Sequence, residues 1–218
     1  MAVVNPRVSI VEDDLGLGTI YDSSGVLPLA TSDLRLVKAH EAAIRAMGID
    51  LTQTVHARDK RHYPFGHYLF ELIGDRRSEL QYDRQVERAA AVVLRGYRER
   101  RELLPLLYRR YAKDDPEGRA LRERNRGATL TVDAALQVAL FREFEKEMER
   151  QGKTAGSFVL LNDTGGLLAA GSVPRIGNGT ANFLDRWRSG SYAVGSPGKL
   201  LTAMTAVLFV LLGLVYPL

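Results

Sequence analysis

Residues 200–218, LLTAMTAVLFVLLGLVYPL, carry no charge. A helix that is apolar all round has no face to give to water, so this segment must be enclosed by protein or lie in lipid. At about 1.5 Å per residue it reaches roughly 28 Å, enough to cross a bilayer core. Arg175, Arg186, Arg188 and Lys199 precede it and no charge follows. That asymmetry predicts that the residues before the run stay in the cytoplasm. The opening MAVVNPRVSIVEDD has no basic stretch leading into an apolar one and reads as no signal peptide. The candidate membrane segment is therefore the last one.

The other residues hold enough apolar side chains for a true core: 45% of the 218 are hydrophobic. There is no cysteine, which removes disulfide frameworks, thiolate metal sites and cysteine nucleophiles. His40, His56, His62 and His67 show no ligand spacing, so neither a metal nor another cofactor is expected. The net charge of +4 is uneven, with eleven Lys/Arg against six Asp/Glu between Arg95 and Arg126. Such a stretch could meet nucleic acid or anionic lipid. Interleaved Glu99, Glu102, Glu117 and Glu123 instead suit pairing on solvated helices, and no aromatic ladder accompanies the arginines, so nucleic acid is not the expected partner.

GTIYDSSGVLPLA reads as two short strands about a DSSG turn. TSDLRLVKAHEAAIRAMG predicts one helix, capped by Thr31 or Ser32, with Leu34, Val37, Ala42 and Ile44 inward and Gly48 as its stop. HYPFGHYLFELIGD predicts a turn running into a short apolar helix. Residues 79–124 read as helical, with breaks near Gly96, Pro105 and 114–118. ATLTVD predicts a strand, and Asp133 caps the amphipathic AALQVALFREFEKEMERQG. GSFVLLN and LLAAGSVP flank DTGG as a hairpin.

Ser196 and Lys199 stand three apart just before the apolar run. On one helix their side chains share a face. With Ser196 as N-cap and Pro197 in the first helical position, Lys199 falls in the first turn. There the helix dipole disfavours its ammonium form, and burial would lower its pKa further, leaving an amine that can take the serine proton. Ten serines and six lysines in 218 positions give such a pair about 0.3 times by chance, so a capped helix start with a basic collar is the competing reading.

The order of segments resembles the monofunctional penicillin-binding transpeptidases. GTIYDSSG (18–25) is similar to the family's R-G-x-I-Y-D-R-x-G, with Ser23 where arginine is usual. RHYPFGHYLFELIG (61–74) resembles R-x-Y-P-x-G-x-x-A-A-H-x-x-G, and LTVDAALQ (130–137) resembles L-T-I-D-x-x-L-Q. GSFVLLNDTGGLLAAGSVP (156–174) is similar to the first hairpin of the penicillin-binding domain, and YAVGSPGKLLTAMTAVL (192–208) to Y-x-P-G-S-T-F-K and its helix.

The resemblance implies an α+β chain with a helix-rich, pedestal-like region over 1–127. A partial transpeptidase-like domain follows over 128–199, its hairpin packed on a helix, and then the apolar helix 200–218. It implies Ser196 as the acylated nucleophile and Lys199 as its base, acting on a D-Ala-D-Ala stem peptide and trapped by β-lactams. The family's Ser-x-Asn and Lys-Thr-Gly motifs do not follow in the nineteen residues after Lys199, and GKTAG (152–156) lies before the serine and reads Lys-Thr-Ala rather than Lys-Thr-Gly. Gly198 also replaces the family's phenylalanine in the first turn, at a cost of about 1 kcal/mol in helix propensity. Without those donors an isolated chain is expected to be inactive.

Two functions follow. One is an incomplete acyl-transfer module of peptidoglycan synthesis. The other is a non-catalytic, membrane-anchored subunit that contacts cell-wall synthesis proteins or another membrane complex. Both predict the bacterial inner membrane. The family implies a periplasmic globular part, and the flanking charges a cytoplasmic one.

Overall fold

A computed structural model describes residues 6–54, 61–74, 85–108, 115–175 and 186–189. By internal contacts the chain divides into Met1–Arg188 and Ser189–Leu218. The first unit is α+β, with short helices, one long helix and two small sheets.

Helix α1 (Pro6–Leu15) leads into a tight turn and then β1 (Ile20–Tyr21) and β2 (Pro28–Ala30), which pair antiparallel as the turn sequence predicts. The turn is closed by Asp22, whose Oδ1 accepts from the Ser24 N–H and hydroxyl. A third strand, β3 (Ala128–Thr129), lies parallel to β1. The contact runs past the strands: Ala128, Leu130 and Ser23 N–H groups bond to the carbonyls of Thr19, Tyr21 and Val132. Residues far apart in sequence thus share one ladder. Thr31 and His62 exchange both backbone hydrogen bonds, which adds the 61–62 segment to the outer side of this sheet.

The helix expected over 31–48 is two, α2 (Leu34–Ala39) and α3 (Glu41–Ala46), divided at His40. Asp33 is the cap rather than Thr31 or Ser32, because its carboxylate accepts the Arg35 N–H while Thr31 and Ser32 are engaged elsewhere. Val37 and Ile44 are buried as expected, while Leu34, the first residue of α2, and Ala42 face solvent. Helices α4 (Leu51–Thr54), α5 (Phe70–Ile73), α6 (Val86–Ala89) and α7 (Ala91–Arg95) follow, with Gly96 ending the last. The break expected near Pro105 is the change from a 3₁₀ turn (Arg100–Leu103) to α8 (Leu104–Tyr108), and the proline sits in the first turn of α8, where a missing N–H costs no helical bond. Asp115 caps α9 (Pro116–Glu123).

Helix α10 (Ala134–Arg150) is capped by Asp133, whose Oδ1 accepts the Leu136 N–H at 2.9 Å. It packs on the hairpin β4 (Gly156–Leu161) and β5 (Leu167–Val173), the arrangement expected from the sequence. Phe141 meets Phe158 edge to face, with ring centroids 5.9 Å apart. A short helix α11 (Arg186–Ser189) starts on the Ser172 hydroxyl, which accepts the N–H groups of Arg186 and Trp187.

One apolar core takes Ile20, Leu29, Val37, Ile44, Phe65, Leu69, Ile73, Leu94, Val138 and Ala170 together. A smaller one joins α1 to the helices after Gly96 through Val11, Tyr97, Leu103, Leu106 and Leu121. Between them the chain passes at its closest approach. A Cβ on Gly18 would stand 1.7 Å from the Arg126 carbonyl oxygen, and no side-chain rotation relieves a backbone clash. Gly18→Ala is expected to cost about 3 kcal/mol or more in urea unfolding. Gly152→Ala, at φ 62° with nothing within 4 Å of the new carbon, should cost about 1 kcal/mol.

Candidate functional site

The two residues expected to carry chemistry, Ser196 and Lys199, lie outside the described residues, as do the 200–218 run and His56. Among the described residues no helix is long and apolar enough to cross a membrane. No group of three or more His, Asp or Glu among them could hold a metal. The described part supplies instead the junction on which the 18–25, 61–74, 130–137 and 156–174 segments meet.

Arg61 is the centre of that junction. Its side chain is fully buried, carried inward because residues 61–62 lie against Thr31. Nε donates to Glu87 Oε1 at 2.8 Å, and Nη2 lies 2.7 Å from the same oxygen. Nη1 donates to two successive carbonyls, Gly18 at 2.6 Å and Leu17 at 3.3 Å. Arg126 does the same one step earlier, with Nη1 bonded to the Leu15 and Gly16 oxygens at 2.7 and 2.9 Å. Four consecutive carbonyls, from the end of α1 into the stretch before β1, are therefore met by two guanidinium groups. Burial lowers the Arg126 pKa, yet leaves the group a cation at any ordinary pH.

Gln137 is the second tie. It has no exposed surface, and its amide does the work of a neighbouring strand: Oε1 accepts the Ala170 N–H at 2.9 Å, and Nε2 donates to the Ala170 and Tyr68 oxygens at 2.8 and 2.7 Å. Asp133 N–H and Thr131 Oγ1 add bonds to the Leu168 and Leu167 oxygens. Arg142 then reaches from α10 to the end of α3, donating to the oxygens of Met47 and Gly48 and to the Tyr68 hydroxyl.

Beside these ties lies an aromatic and cationic cluster. The Arg142 and Arg175 guanidinium groups lie 5.3 and 5.9 Å from the Tyr68 ring centre, and Arg175 also lies over Phe141. Arg175 pairs with Glu145 through both carboxylate oxygens, which raises its own pKa. It was expected in the charge collar of the apolar run; the structure engages it in the fold. His67 stacks against Tyr68 at 4.0 Å, with Nε2 buried and without a hydrogen-bond partner. Burial, aided by the nearby Arg175, pushes its pKa down to about 4. His62 is lowered for the same first reason.

A polar cleft of about 640 Å³ opens beyond the carbonyl segment, between Asp13, Asp33, Arg35, Arg124 and Arg126. Its cations are already paired: Arg35 with Asp33, Arg124 with Glu102 and the Gly96 oxygen, and Arg126 with carbonyls. Elsewhere in the basic stretch Arg100 meets Glu12 and Arg101 meets Glu99. No protein-family model, curated protein or solved structure matches this chain.

Two outcomes are expected. Arg61→Met leaves Glu87 and two carbonyls without their donor and should cost about 4 kcal/mol in unfolding experiments. Arg61→Met/Glu87→Leu should recover only part of this, since an apolar pair replaces the ions but not the carbonyl bonds. The second outcome concerns pH. His67 and His62 have folded pKa values below those of the unfolded chain, so below about 6.5 the unfolded state takes up protons that the folded state refuses. Stability should fall as pH drops from about 6.5 and level off for His67 near 4. His67→Asn should flatten most of that slope in thermal melts, leaving the smaller share of His62.

Proposed function

We propose that this chain is a penicillin-binding-protein-like acyl-transfer module of peptidoglycan synthesis, incomplete and inactive by itself. Ser196 would be the nucleophile and Lys199 its base. The observation that carries the reading is convergence. Four segments that resemble the family in sequence order are scattered between residues 18 and 174, and they bond directly to one another around Arg61 and Gln137. Chance resemblances have no reason to share one buried junction.

On this reading the ligand of the completed site is a D-Ala-D-Ala stem peptide or a β-lactam. The partners are proteins of cell-wall synthesis at the bacterial inner membrane, with 200–218 as the membrane segment. The oxyanion donors and carboxylate cradle of the Ser-x-Asn and Lys-Thr-Gly elements are not among the 218 residues and would come from additional chain.

A second reading is favoured by the way the junction uses its polar groups. Arg61, Gln137 and Arg142 give their donors to internal backbone oxygens, and even Arg126, at the wall of the polar cleft, is engaged by carbonyls. That suits a non-catalytic descendant that keeps the scaffold for contacts with other membrane proteins.

Labelling with a fluorescent penicillin separates the two. The 218-residue chain alone should not label. A fusion that continues it through the Ser-x-Asn and Lys-Thr-Gly portion of a complete transpeptidase, shown to melt cooperatively, should label one-to-one and lose the label with Ser196→Ala. A folded fusion that stays unlabelled favours the scaffold reading. Stoichiometric, Ser196-dependent labelling of the chain alone would overturn its inactivity.

A further inference from the structure

Helix α7 turns two valines to solvent. Val92 and Val93 are 49% and 50% exposed. β-Branched residues are weaker helix formers than alanine, glutamate or lysine, and an exposed position has no packing to offset that. The helix cannot roll to bury them. Leu94, the next residue, is fully buried in the main core, and its carbonyl accepts the Gly18 N–H at 2.8 Å. Ala90 packs on the same core one turn earlier. The valines are therefore held outward on a fixed element.

Their surroundings are cationic. Arg95 stands three residues after Val92 and so lies on the same side of the helix, and Arg98 follows the left-handed turn at Gly96. Both arginines are exposed, and among the described residues neither side chain has a hydrogen bond or an ion pair. The carboxylates of this region are already taken. Glu12 is met by Arg100, Glu99 by Arg101, and Glu102 by Arg124 and the backbone N–H of Arg98. Two positive charges are thus left uncompensated beside an apolar pair.

That combination fits the boundary of an anionic bilayer, where valines enter the acyl margin and guanidinium groups lie among phosphates. Nucleic acid would use the charge but not the valines, and Tyr97, the aromatic residue next to them in sequence, is buried and cannot stack on a base. We propose that the Val92–Val93 face of α7 docks on the surface of a bilayer that contains anionic phospholipid, with Arg95 and Arg98 on the headgroup phosphates. The contact is peripheral and reversible, since an arginine near such a surface strengthens binding only about fivefold. The inference stands independently of the acyl-transfer reading, because it uses neither Ser196, Lys199 nor the apolar run.

The chain has no cysteine, so a single introduced thiol can carry an environment-sensitive dye. Full-length Val93→Cys is labelled with a nitrobenzoxadiazole and reconstituted in vesicles of phosphatidylcholine, alone or mixed equally with phosphatidylglycerol. Val26→Cys, exposed in the β1–β2 turn, is the control. The dye at 93 should brighten and shift to the blue in the anionic vesicles only, and salt that cuts the Debye length to about 3 Å should reverse the shift. The dye at 26 should stay aqueous in both. Arg95→Gln/Arg98→Gln in the Val93→Cys chain should weaken docking roughly twentyfold without changing the melting temperature. An equal shift in both vesicle types, or one that survives the double arginine replacement in a protein that melts as before, would overturn the proposal. So would a dye at 93 that stays aqueous throughout. A shift produced by duplex DNA in detergent, and absent with vesicles, would assign the arginines to nucleic acid, with the same consequence.

Discussion

The backbone oxygens of Leu15, Gly16, Leu17 and Gly18 form the constraint on which the rest of the first unit depends. They run from the last residue of α1 into the irregular stretch before β1, packed where a single methyl group on Gly18 would strike the Arg126 carbonyl. Carbonyls outside a regular ladder need donors, and these are only partly exposed, at the wall of the polar cleft. Two arginines answer that need from opposite sides, one delivered by the segment against β2 and one by the turn before β3. Because each guanidinium spans two oxygens, the segment is fixed in direction as well as position. The two-residue strand β1 then starts in register with both neighbours, although so short a strand has little pairing energy of its own.

The same logic holds at the hairpin. A two-stranded ribbon is marginal alone. Here α10 both covers one face, through Phe141, and closes one edge, through Gln137. A glutamine amide has a donor and an acceptor in the spacing of a peptide group, so it can stand in for a strand at one residue. Its third bond, to the Tyr68 oxygen, joins the hairpin to the region after Arg61. The main core and the polar ties thus run through the same residues, and neither sheet is an independent unit.

Much of this was legible in the sequence wherever a local rule governs. The Asp133 cap, the hairpin about DTGG and the strand pair about DSSG follow from side chains that bond within four residues, and all stand where expected. Leu34 and Ala42 are exposed although apolar: Leu34 is the first residue of α2, and the chain divides at His40 before Ala42, while Val37 and Ile44 keep the expected inward face. Pro105 stands at the expected helix boundary, in the first turn of α8, where no earlier turn needs its N–H. Arg61 could not be picked out as buried, nor Arg126 as half-buried. Composition places arginine outside, and the carbonyls that hold these two are defined only by long-range folding. The one available signal for Arg61 was its place in the RHYPFG segment.

That signal has a physical meaning narrower than function. A buried ion pair such as Arg61 with Glu87 can often be replaced by apolar residues with little loss, so stability alone does not require it. What an apolar residue cannot do is donate to Leu17 and Gly18. The arginine is thus tied to a backbone path, and any chain that follows the same path needs a donor at the same place. On the proposed reading, a resemblance carried by such residues would report a shared course of the main chain through the junction rather than a shared chemistry. The chemistry would rest on other groups, a serine and a lysine three residues apart, and a backbone path held by internal donors does not depend on them.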